Sequence, residues 1–312
     1  MLFRGWLFMD LGGKIVRTDG DTWDIVSSVG VTALGVAAMR AMETLQPDPL
    51  IRDDYAALFV AASGHEPMSR LLEDPEPPQD SPLAFGLMGH RSKFYDDFFL
   101  DAAADGVRQA VILAAGLDAR AYRLSWPTGT VVFELDQPKV LEFKQTVLDE
   151  HGAVPTADRR ALAVDLRDDW PAALLAAGFD PAAPTAWSAE GLLPYLPGAA
   201  QDLLFERIER LSAPGSRLAT DMVADPDGLI RMQDFSKEEL QDTMWGDVDI
   251  RELFYTDDRA DPDIWFAERG WTTGGLLPHE LAARYDRPMP EVPEPFSAMM
   301  NSIRYVTAVR PR

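Results

Sequence analysis

The chain has 312 residues, a formal net charge of −22 and no cysteine. The lack of cysteine excludes disulfides and thiolate catalysis, and the 4 histidines are not spaced like zinc ligands, so no metal site is expected. The negative charge argues against nucleic acids and anionic membranes as partners, because both require clustered lysine and arginine. No apolar run reaches the length of a transmembrane helix, and we expect a cytoplasmic protein.

The N-terminal part of the chain is predicted to be helical. Residues 1–15 are mildly apolar but lack a cleavage site, and we expect them to be a disordered extension of the folded protein. Apolar residues recur at helical spacing over 24–62, and an aromatic-rich helix is predicted over 83–106. The proline-rich stretch 66–82 between them indicates a loop or a lid.

From residue 107 onwards, short apolar runs alternate with helical segments. This pattern predicts an α/β fold with a doubly wound, mainly parallel sheet, and residues 107–222 form its core. An acidic helical insertion (223–268) follows, and 269–312 complete the sheet with an antiparallel hairpin. We therefore expect one domain over 16–312. Its seven predicted strands lie at 110–114, 130–135, 161–164, 185–189 and 216–222 and near 271–278 and 304–310.

The turn after the first strand reads "AAGLDA" (114–119), not the G-x-G-x-x-G of dinucleotide-binding proteins. Gly116 allows a ligand to approach the backbone closely, and the neighbouring alanines are small. Asp118, however, adds a negative charge where a pyrophosphate would lie. The turn therefore favours a ligand without phosphate groups.

An acid at the end of the second strand can bind a ribose. Asp136, or Glu134 beside it, can accept hydrogen bonds from both ribose hydroxyls. Alternatively, Asp136 caps the helix that starts at Gln137-Pro138, and the two roles are compatible. A ribose without phosphate suggests S-adenosylmethionine.

Two later strand ends also carry acids. Asp165 can accept a hydrogen bond from the adenine amine while Leu166 covers the ring, although an aspartate in this position is often only a helix cap. Glu190 stands in the otherwise apolar run "WSAEGLLPYL" and needs a cationic partner, either a sulfonium group or a positive side chain.

These motifs together carry a family resemblance. The ordered set "HRSKFYDDFF", "ILAAGLDARAYRL", "FELDQPKVLEFK", "VDLRDDW", "WSAEGLLPYLP" and "LSAPGSRLA" resembles the S-adenosylmethionine-dependent methyltransferases of mycobacteria and other actinomycetes, which are relatives of the leucine carboxyl methyltransferases. The resemblance implies a class I methyltransferase (Rossmann-like) fold with an N-terminal helical addition and a helical insertion. It implies S-adenosyl-L-methionine as the cofactor, with Arg91, Gly116, Asp136, Asp165, Leu166 and Glu190 as its binding residues.

The resemblance assigns Arg91 to the methionine carboxylate and Glu190 to the methionine amino group. From spacing alone, Arg91 would be a surface arginine paired with Asp96 or Asp97. One departure is Ala114, where the wider fold often has glycine, so the amino-acid end of the cofactor is expected to sit differently.

The expected activity is O-methylation of a carboxylate or hydroxyl on a small molecule. A carboxylate needs no general base, and for a hydroxyl the sequence offers only His90, Tyr95 and His279, each better explained as structural, so no catalytic residue is assigned. Two alternatives stay open, namely an NAD(P)-dependent oxidoreductase and a non-catalytic binding module. We also expect residues 24–62, 66–82 and 221–263 to roof the site.

Overall fold

The computed structural model describes residues 29–73, 85–223, 253–289 and 296–312. Within these ranges, seven strands form one sheet. They are β1 (Gln109–Leu113), β2 (Val131–Asp136), β3 (Asp158–Ala163), β4 (Thr185–Ala189), β5 (Arg217–Val223), β6 (Thr272–Leu276) and β7 (Ile303–Val309). Their order is β3-β2-β1-β4-β5-β7-β6. The first five are parallel, and β7 runs antiparallel to both β5 and β6. The predicted α/β, mainly parallel seven-stranded sheet is confirmed.

Helices cover both faces of this sheet and extend it at the N-terminal side. The helices are α1 (Val29–Thr44), α2 (Asp54–Ser63), α3 (Glu66–Glu73), α4 (Phe85–Ala104), α5 (Arg120–Arg123), α6 (Pro138–Glu150), α7 (Trp170–Ala176), α8 (Gly198–Arg210), α9 (Pro262–Ala267), α10 (Pro278–Arg284) and α11 (Phe296–Asn301). A 3₁₀ turn (Leu193–Tyr195) lies between β4 and α8.

The core is divided by the sheet into two apolar clusters. One cluster joins the N-terminal helices to the sheet, with Leu34, Phe59 and Phe99 fully buried. The other cluster is built around Trp170 and Trp187. Strand residues alternate between the two faces, which is why β1 and β4 read as continuous apolar runs in the sequence.

The strand order reverses between β1 and β4. From β1 the chain continues to β2 and β3 on one side, and β4 and β5 lie on the other. Loops at the carboxyl ends of two such strands diverge, and the crevice between them is the usual ligand site of an open α/β sheet. The turn after β1 therefore lies where a ligand is expected.

Two local predictions were wrong. The loop expected over 66–82 begins with helix α3, because Pro67 stands in the first helical turn, where proline is tolerated. Strand β3 starts at Asp158, three residues before the apolar pattern begins, because an edge strand tolerates polar residues. Helix α10 follows the strand predicted near 271–278, in a stretch for which no element was predicted.

Several predictions fall outside the described residues. They concern the extension 1–15, most of the acidic insertion (224–252) and the remainder of the proline-rich stretch (74–84). Among the described helices, none is both long and apolar enough to cross a bilayer.

Candidate functional site

A cavity of about 540 Å³ opens at the carboxyl ends of β1, β2 and β4, beneath helix α1. Helix α1 contributes Ala33 and Val36 to its wall, and the segment after β4 contributes Leu192 and Tyr195. All six residues predicted to bind the cofactor line this one cavity: Arg91, Gly116, Asp136, Asp165, Leu166 and Glu190. The structure thus brings together side chains from four strand ends and helix α4.

The turn after β1 has a left-handed backbone at two positions. The φ angles of Ala114 and Gly116 are 52° and 50°, a conformation that glycine adopts without steric cost and alanine does not. A Cβ atom at Gly116 would lie 3.3 Å from the Cβ of Ala33 in helix α1. Glycine at position 116 therefore lets α1 close over the turn, whereas Ala114 carries a modest backbone strain.

Asp136 holds this turn in place. Its Oδ2 accepts a 2.6 Å hydrogen bond from the Gly116 backbone N–H, and its Oδ1 accepts one of 2.6 Å from Gln137. Burial raises the pKa of this carboxyl, and the two backbone hydrogen bonds oppose that rise. Each oxygen keeps a second lone pair for a ligand hydroxyl. The N-cap of the following helix is Gln137, so the interpretation of Asp136 as the cap of that helix is wrong. Asp136 lines the cavity, and its binding to a ribose stays a prediction.

Glu134 does not reach the cavity. Its side chain is fully buried, and its Oε2 lies 2.8 Å from the Lys144 ammonium and 2.7 Å from Arg159 Nη2. The alternative in which Glu134 accepts the ribose hydroxyls is therefore wrong. Its carboxylate lies two residues before Asp136 in β2 and forms buried ion pairs with Lys144 and Arg159.

Asp165 lies at the end of β3 and shares contacts with neighbouring polar groups. Its Oδ1 accepts from the Arg167 backbone N–H at 2.9 Å, and its Oδ2 accepts from Gln137 Nε2 at 3.1 Å. Burial opposes ionisation of Asp165, but the hydrogen bonds from Arg167 lower its pKa below the usual value. The N-cap of the following helix is Asp169, so the interpretation of Asp165 as a helix cap is wrong. Leu166 lines the cavity beside it.

Glu190 has two cationic partners. Its Oε1 accepts from Arg91 Nε at 2.9 Å, and its Oε2 accepts from Arg120 Nη1 at 2.7 Å. The sequence indicated that this carboxylate needs a positive partner, and two arginines supply it. Held from both sides, Glu190 faces the cavity in a defined orientation.

Arg91 is largely but not fully buried and does not pair with Asp96 or Asp97. Its partners are Glu190 and, at 3.8 Å from Nη1, Asp221 in β5. Burial acts against the charged guanidinium, but these carboxylates outweigh it and raise the pKa of Arg91. The residue after Glu190 is Gly191, whose backbone φ is 60°, and any Cβ there would collide with Arg91 Nη2. The glycine thus makes room for the guanidinium at the cavity wall.

Asp118 forms an ion pair with Arg120, which also donates its backbone N–H to Asp118 Oδ1 at 2.6 Å. Burial pushes the pKa of Asp118 up, yet Arg120 and further cations hold it at about 2. Its charge is therefore balanced within the protein. The repulsion of a phosphate by Asp118, which the sequence suggested, is therefore weakened by the positive charge of Arg120.

These ion pairs belong to one continuous network. Asp53 pairs with Arg40 and Arg123, and Arg123 shares Asp96 with Arg120. Arg120 pairs with Glu190, and Arg91 joins Glu190 to Asp221. Within the described residues it joins four arginines to five carboxylates: Arg40, Arg91, Arg120 and Arg123 with Asp53, Asp96, Asp118, Glu190 and Asp221. One negative charge is left without a cationic counterpart in this network.

Sequence reasoning missed Arg120 and Asp221. Asp221 accepts hydrogen bonds from the Tyr95 hydroxyl at 2.6 Å and from the Gly191 N–H at 2.7 Å. A local signal for Asp221 was available, because it is an acid among the buried residues of β5, and Glu190, just after β4, stands in a similar apolar run. Arg120 gave no local signal, since two of its partners lie 24 and 70 residues away in the chain.

The three candidate bases named from the sequence are absent from the described cavity wall. His90 is buried, and its two ring nitrogens lie 2.8 and 2.9 Å from the carbonyl oxygens of Gly86 and Arg287. The Tyr95 hydroxyl donates to Asp221, and burial raises the pKa of Tyr95 well above its usual range. His279 lies in α10. These contacts agree with the prediction that His90 and Tyr95 support the fold and do not act as bases.

The sheet order, the single antiparallel strand and the acids at successive strand ends define the class I methyltransferase fold. A DUF574 family protein of Streptomyces avermitilis shares this fold, with a TM-score of 0.50 and 15% identity over 88% of this chain and 97% of that one.

Sequence comparison identifies the family. The profile of the leucine carboxyl methyltransferase family matches residues 33–209. A Rhodococcus jostii protein that carries the name of an S-adenosyl-L-methionine-dependent methyltransferase is 58% identical over 295 residues, which is 95% of this chain and 100% of that protein. A Mycobacteroides abscessus protein with the same name is 54% identical over 96% of this chain and 98% of its own length.

The chain belongs to the leucine carboxyl methyltransferase family and is an S-adenosylmethionine-dependent enzyme. The negative charge in excess in the network favours a cationic ligand, and the sulfonium, ammonium and carboxylate of this cofactor sum to one positive charge. The alternatives of an NAD(P)-dependent oxidoreductase and of a non-catalytic module do not agree with the family.

Proposed function

We propose that this methyltransferase methylates an oxygen atom of a small-molecule carboxylate. The observation that carries the proposal is the composition of the cavity wall, whose described part contains no histidine and offers Tyr195 and Tyr255 as its only hydroxyl side chains besides Thr32. A carboxylate is ionised at neutral pH and can attack a methyl group without losing a proton. A hydroxyl acceptor has to lose its proton, most often to a histidine, and this part of the wall has no histidine.

Two further features support a carboxylate on a small molecule. The family's description names a carboxyl group as the methyl acceptor. The cavity volume of about 540 Å³ lies within the range of small-molecule sites.

The cofactor is assigned to the six predicted residues. We expect Asp136 to accept from the ribose hydroxyls, Asp165 to accept from the adenine amine, and Leu166 to cover the ring, as their positions at the ends of β2 and β3 favour. On the other side of Gly116, Arg91 can donate to the methionine carboxylate, and Glu190 can accept from the amino group. The free lone pairs of Asp136 and the paired charges around Glu190 are consistent with this division.

When bound, S-adenosylmethionine supplies a methyl group activated by the adjacent sulfonium. The protein's own contribution is alignment, because an in-line displacement requires the acceptor oxygen to be held opposite the leaving group. The carboxylates of the network stabilise a cationic ligand in a low-dielectric wall, and helix α1 lines one side of the cavity. No protein nucleophile takes part in such a transfer.

The test is to incubate the enzyme with S-adenosylmethionine and matched pairs of small carboxylic acids and their alcohol analogues. We expect S-adenosylhomocysteine release only with acids, and a product 14 Da heavier that mild alkali hydrolyses, as it does esters but not ethers. Alkali-stable methyl ethers, formed from the alcohols alone, would contradict the proposal and favour hydroxyl methylation.

We further propose that residues 16–312 form a single domain whose N-terminal helices roof the cofactor. The support is that α1 lines the cavity through Gly30, Ala33 and Val36, and that Tyr255, in the described part of the insertion, lines it too. Cofactor binding should slow amide hydrogen exchange in α1. Protection confined to the strand-end turns would contradict the roof.

A further inference from the structure

Arg120 contacts three carboxylates from three separate parts of the fold. Its Nε donates to Asp96 of helix α4 at 2.7 Å, and its Nη1 donates to Glu190 after β4 at 2.7 Å. Nη1 also pairs with Asp118 in the turn after β1. The guanidinium is almost completely buried, with 3% of its side chain exposed. It lies outside the cavity wall and reaches the ligand space only through its partners.

The geometry of Arg120 requires a guanidinium. A planar fork with five N–H donors can serve several acceptors in fixed directions, whereas one lysine ammonium is a compact point charge. The ring of Tyr95 lies 5.5 Å from the guanidinium carbon, and the Trp126 indole donates to the Arg120 backbone carbonyl at 2.8 Å. The side chain and its backbone are therefore fixed before any ligand binds.

Glu190 depends on two arginines that differ in position. Arg91 lines the cavity and can itself touch the cofactor, whereas Arg120 lies behind the carboxylate. The bond from Arg120 to Oε2 fixes the direction of the carboxylate plane while the bond from Arg91 fixes Oε1. Without Arg120, the carboxylate would keep one anchor and could rotate away from the cavity.

We propose that Arg120 is a positioning residue for the amino-acid end of the cofactor, acting through Glu190. It orients the carboxylate that accepts the cofactor's ammonium group, and it ties that carboxylate to the turn that carries Gly116. The inference rests on the proposed assignment of Glu190 to the cofactor's amino group.

Arg123 offers a matched control. It is buried to a similar degree as Arg120 and pairs with the same Asp96, at 2.6 Å from Nη2 to Oδ1. Its other ion-pair partner is Asp53, and none of its described contacts is with Glu190 or Asp118. If ligand affinity falls only because a buried arginine that packs against helix α4 has been removed, it should fall in variants of both arginines.

The experiment compares two thioether ligands by calorimetric titration. S-adenosylhomocysteine and 5′-methylthioadenosine share adenine, ribose and a neutral sulfur, but only the former has the amino-acid arm. The proteins are the wild type, Arg120→Met, Arg120→Lys, Arg123→Met and Glu190→Gln. Arg120→Lys keeps the charge and serves if Arg120→Met does not fold, because its ammonium cannot bridge the three carboxylates.

Both Arg120 variants should bind S-adenosylhomocysteine about tenfold or more weakly, which is the scale for disturbing a hydrogen bond to a charged group. Their affinity for 5′-methylthioadenosine should change by less than about twofold. In Arg123→Met, any change in affinity relative to the wild type should be the same for both ligands. Equal weakening of both ligands by the Arg120 variants, or the same selective loss in Arg123→Met, would overturn the inference.

Glu190→Gln separates this inference from the assignment on which it rests. If Glu190→Gln loses S-adenosylhomocysteine selectively and the Arg120 variants do not, only the role of Arg120 is wrong. If Glu190→Gln binds both ligands as the wild type does, the assignment of Glu190 fails, and the positioning role falls with it.

Discussion

The two sides of the cavity hold their acids in different ways. On the side formed by β2 and β3, Asp136 accepts hydrogen bonds from two backbone N–H groups and forms no ion pair with any described residue. Asp165 on that side pairs with Arg167, whose side chain is partly exposed. On the side formed by β4 and α4, Glu190 lies between two arginines and Asp118 pairs with one of them. The first arrangement suits neutral hydroxyl donors, and the second suits a ligand with charges of both signs.

The contrast has a physical cause. A hydroxyl needs an acceptor with a free lone pair, which a carboxylate fixed by backbone amides supplies without further charges. A zwitterion needs an anion and a cation side by side, and such charges are stable in a buried wall only when other charges balance them. The ion-pair network around Arg120 provides this balance, so the side formed by β4 and α4 is more heavily charged than the side formed by β2 and β3.

The largest expected effect concerns stability. Arg120→Met leaves three buried carboxylates without a shared cation and should destabilise the fold by about 3–5 kcal/mol. On the other side, the Arg167 side chain is 42% exposed, and Arg167→Met should cost less than about 1 kcal/mol. Urea denaturation of the two variants measures the difference, and equal losses would remove the distinction between the two sides.

A smaller effect is expected in the pH dependence of stability. The pKa of Asp118 in the folded protein is about 2, below its ordinary value of 3.8, because Arg120 outweighs the effect of burial. A lowered pKa contributes stability above about pH 4, here on the order of 2 kcal/mol, which is lost as the pH falls through about 2. The free energy of unfolding should therefore decrease less steeply from pH 5 to pH 3 in Asp118→Asn than in the wild type. Parallel curves would contradict the assigned role of Arg120 at Asp118.

The smallest of these effects concerns the fork of Arg91. Arg91→Lys keeps the positive charge but loses the paired N–H donors that match a carboxylate. Binding of S-adenosylmethionine should weaken about tenfold, or ~1.4 kcal/mol, and binding of 5′-methylthioadenosine should be nearly unchanged. Equal weakening of both ligands in calorimetry would mean that Arg91 supports the fold and not the cofactor.

Much of the parallel core could be predicted because its signals are local. β1, β2, β4 and β5 are buried apolar runs, and their positions were predicted to within one residue at each end, because period and length suffice there. β3 lies at the sheet edge, where Arg159 and Arg160 replace apolar residues, and its start was missed. Helix α3 was missed because a proline-rich stretch usually indicates a loop, whereas Pro67 lies in the first helical turn, where proline is tolerated.

The candidate site was predictable only in part, because only some of its residues have a local signal in the sequence. Acids that directly follow apolar strands must lie at one edge of a parallel sheet, so Asp136, Asp165 and Glu190 could be grouped from the sequence. The partners of Arg91 could not be, because Glu190 is 99 residues away and the nearer Asp96 binds Arg120 and Arg123 instead. Long-range pairing depends on how α4 packs against the sheet, and sequence spacing does not encode that packing.

The central claim is that the two sides of the cavity recognise different parts of one cofactor. Calorimetric titration of Asp136→Ala and Glu190→Gln with S-adenosylhomocysteine and 5′-methylthioadenosine tests it directly. Asp136→Ala should weaken both ligands equally, by about 2–3 kcal/mol, because both contain the ribose. Glu190→Gln should weaken S-adenosylhomocysteine alone. If Asp136→Ala binds both ligands as the wild type does, or if Glu190→Gln weakens both alike, the division of the cavity is contradicted.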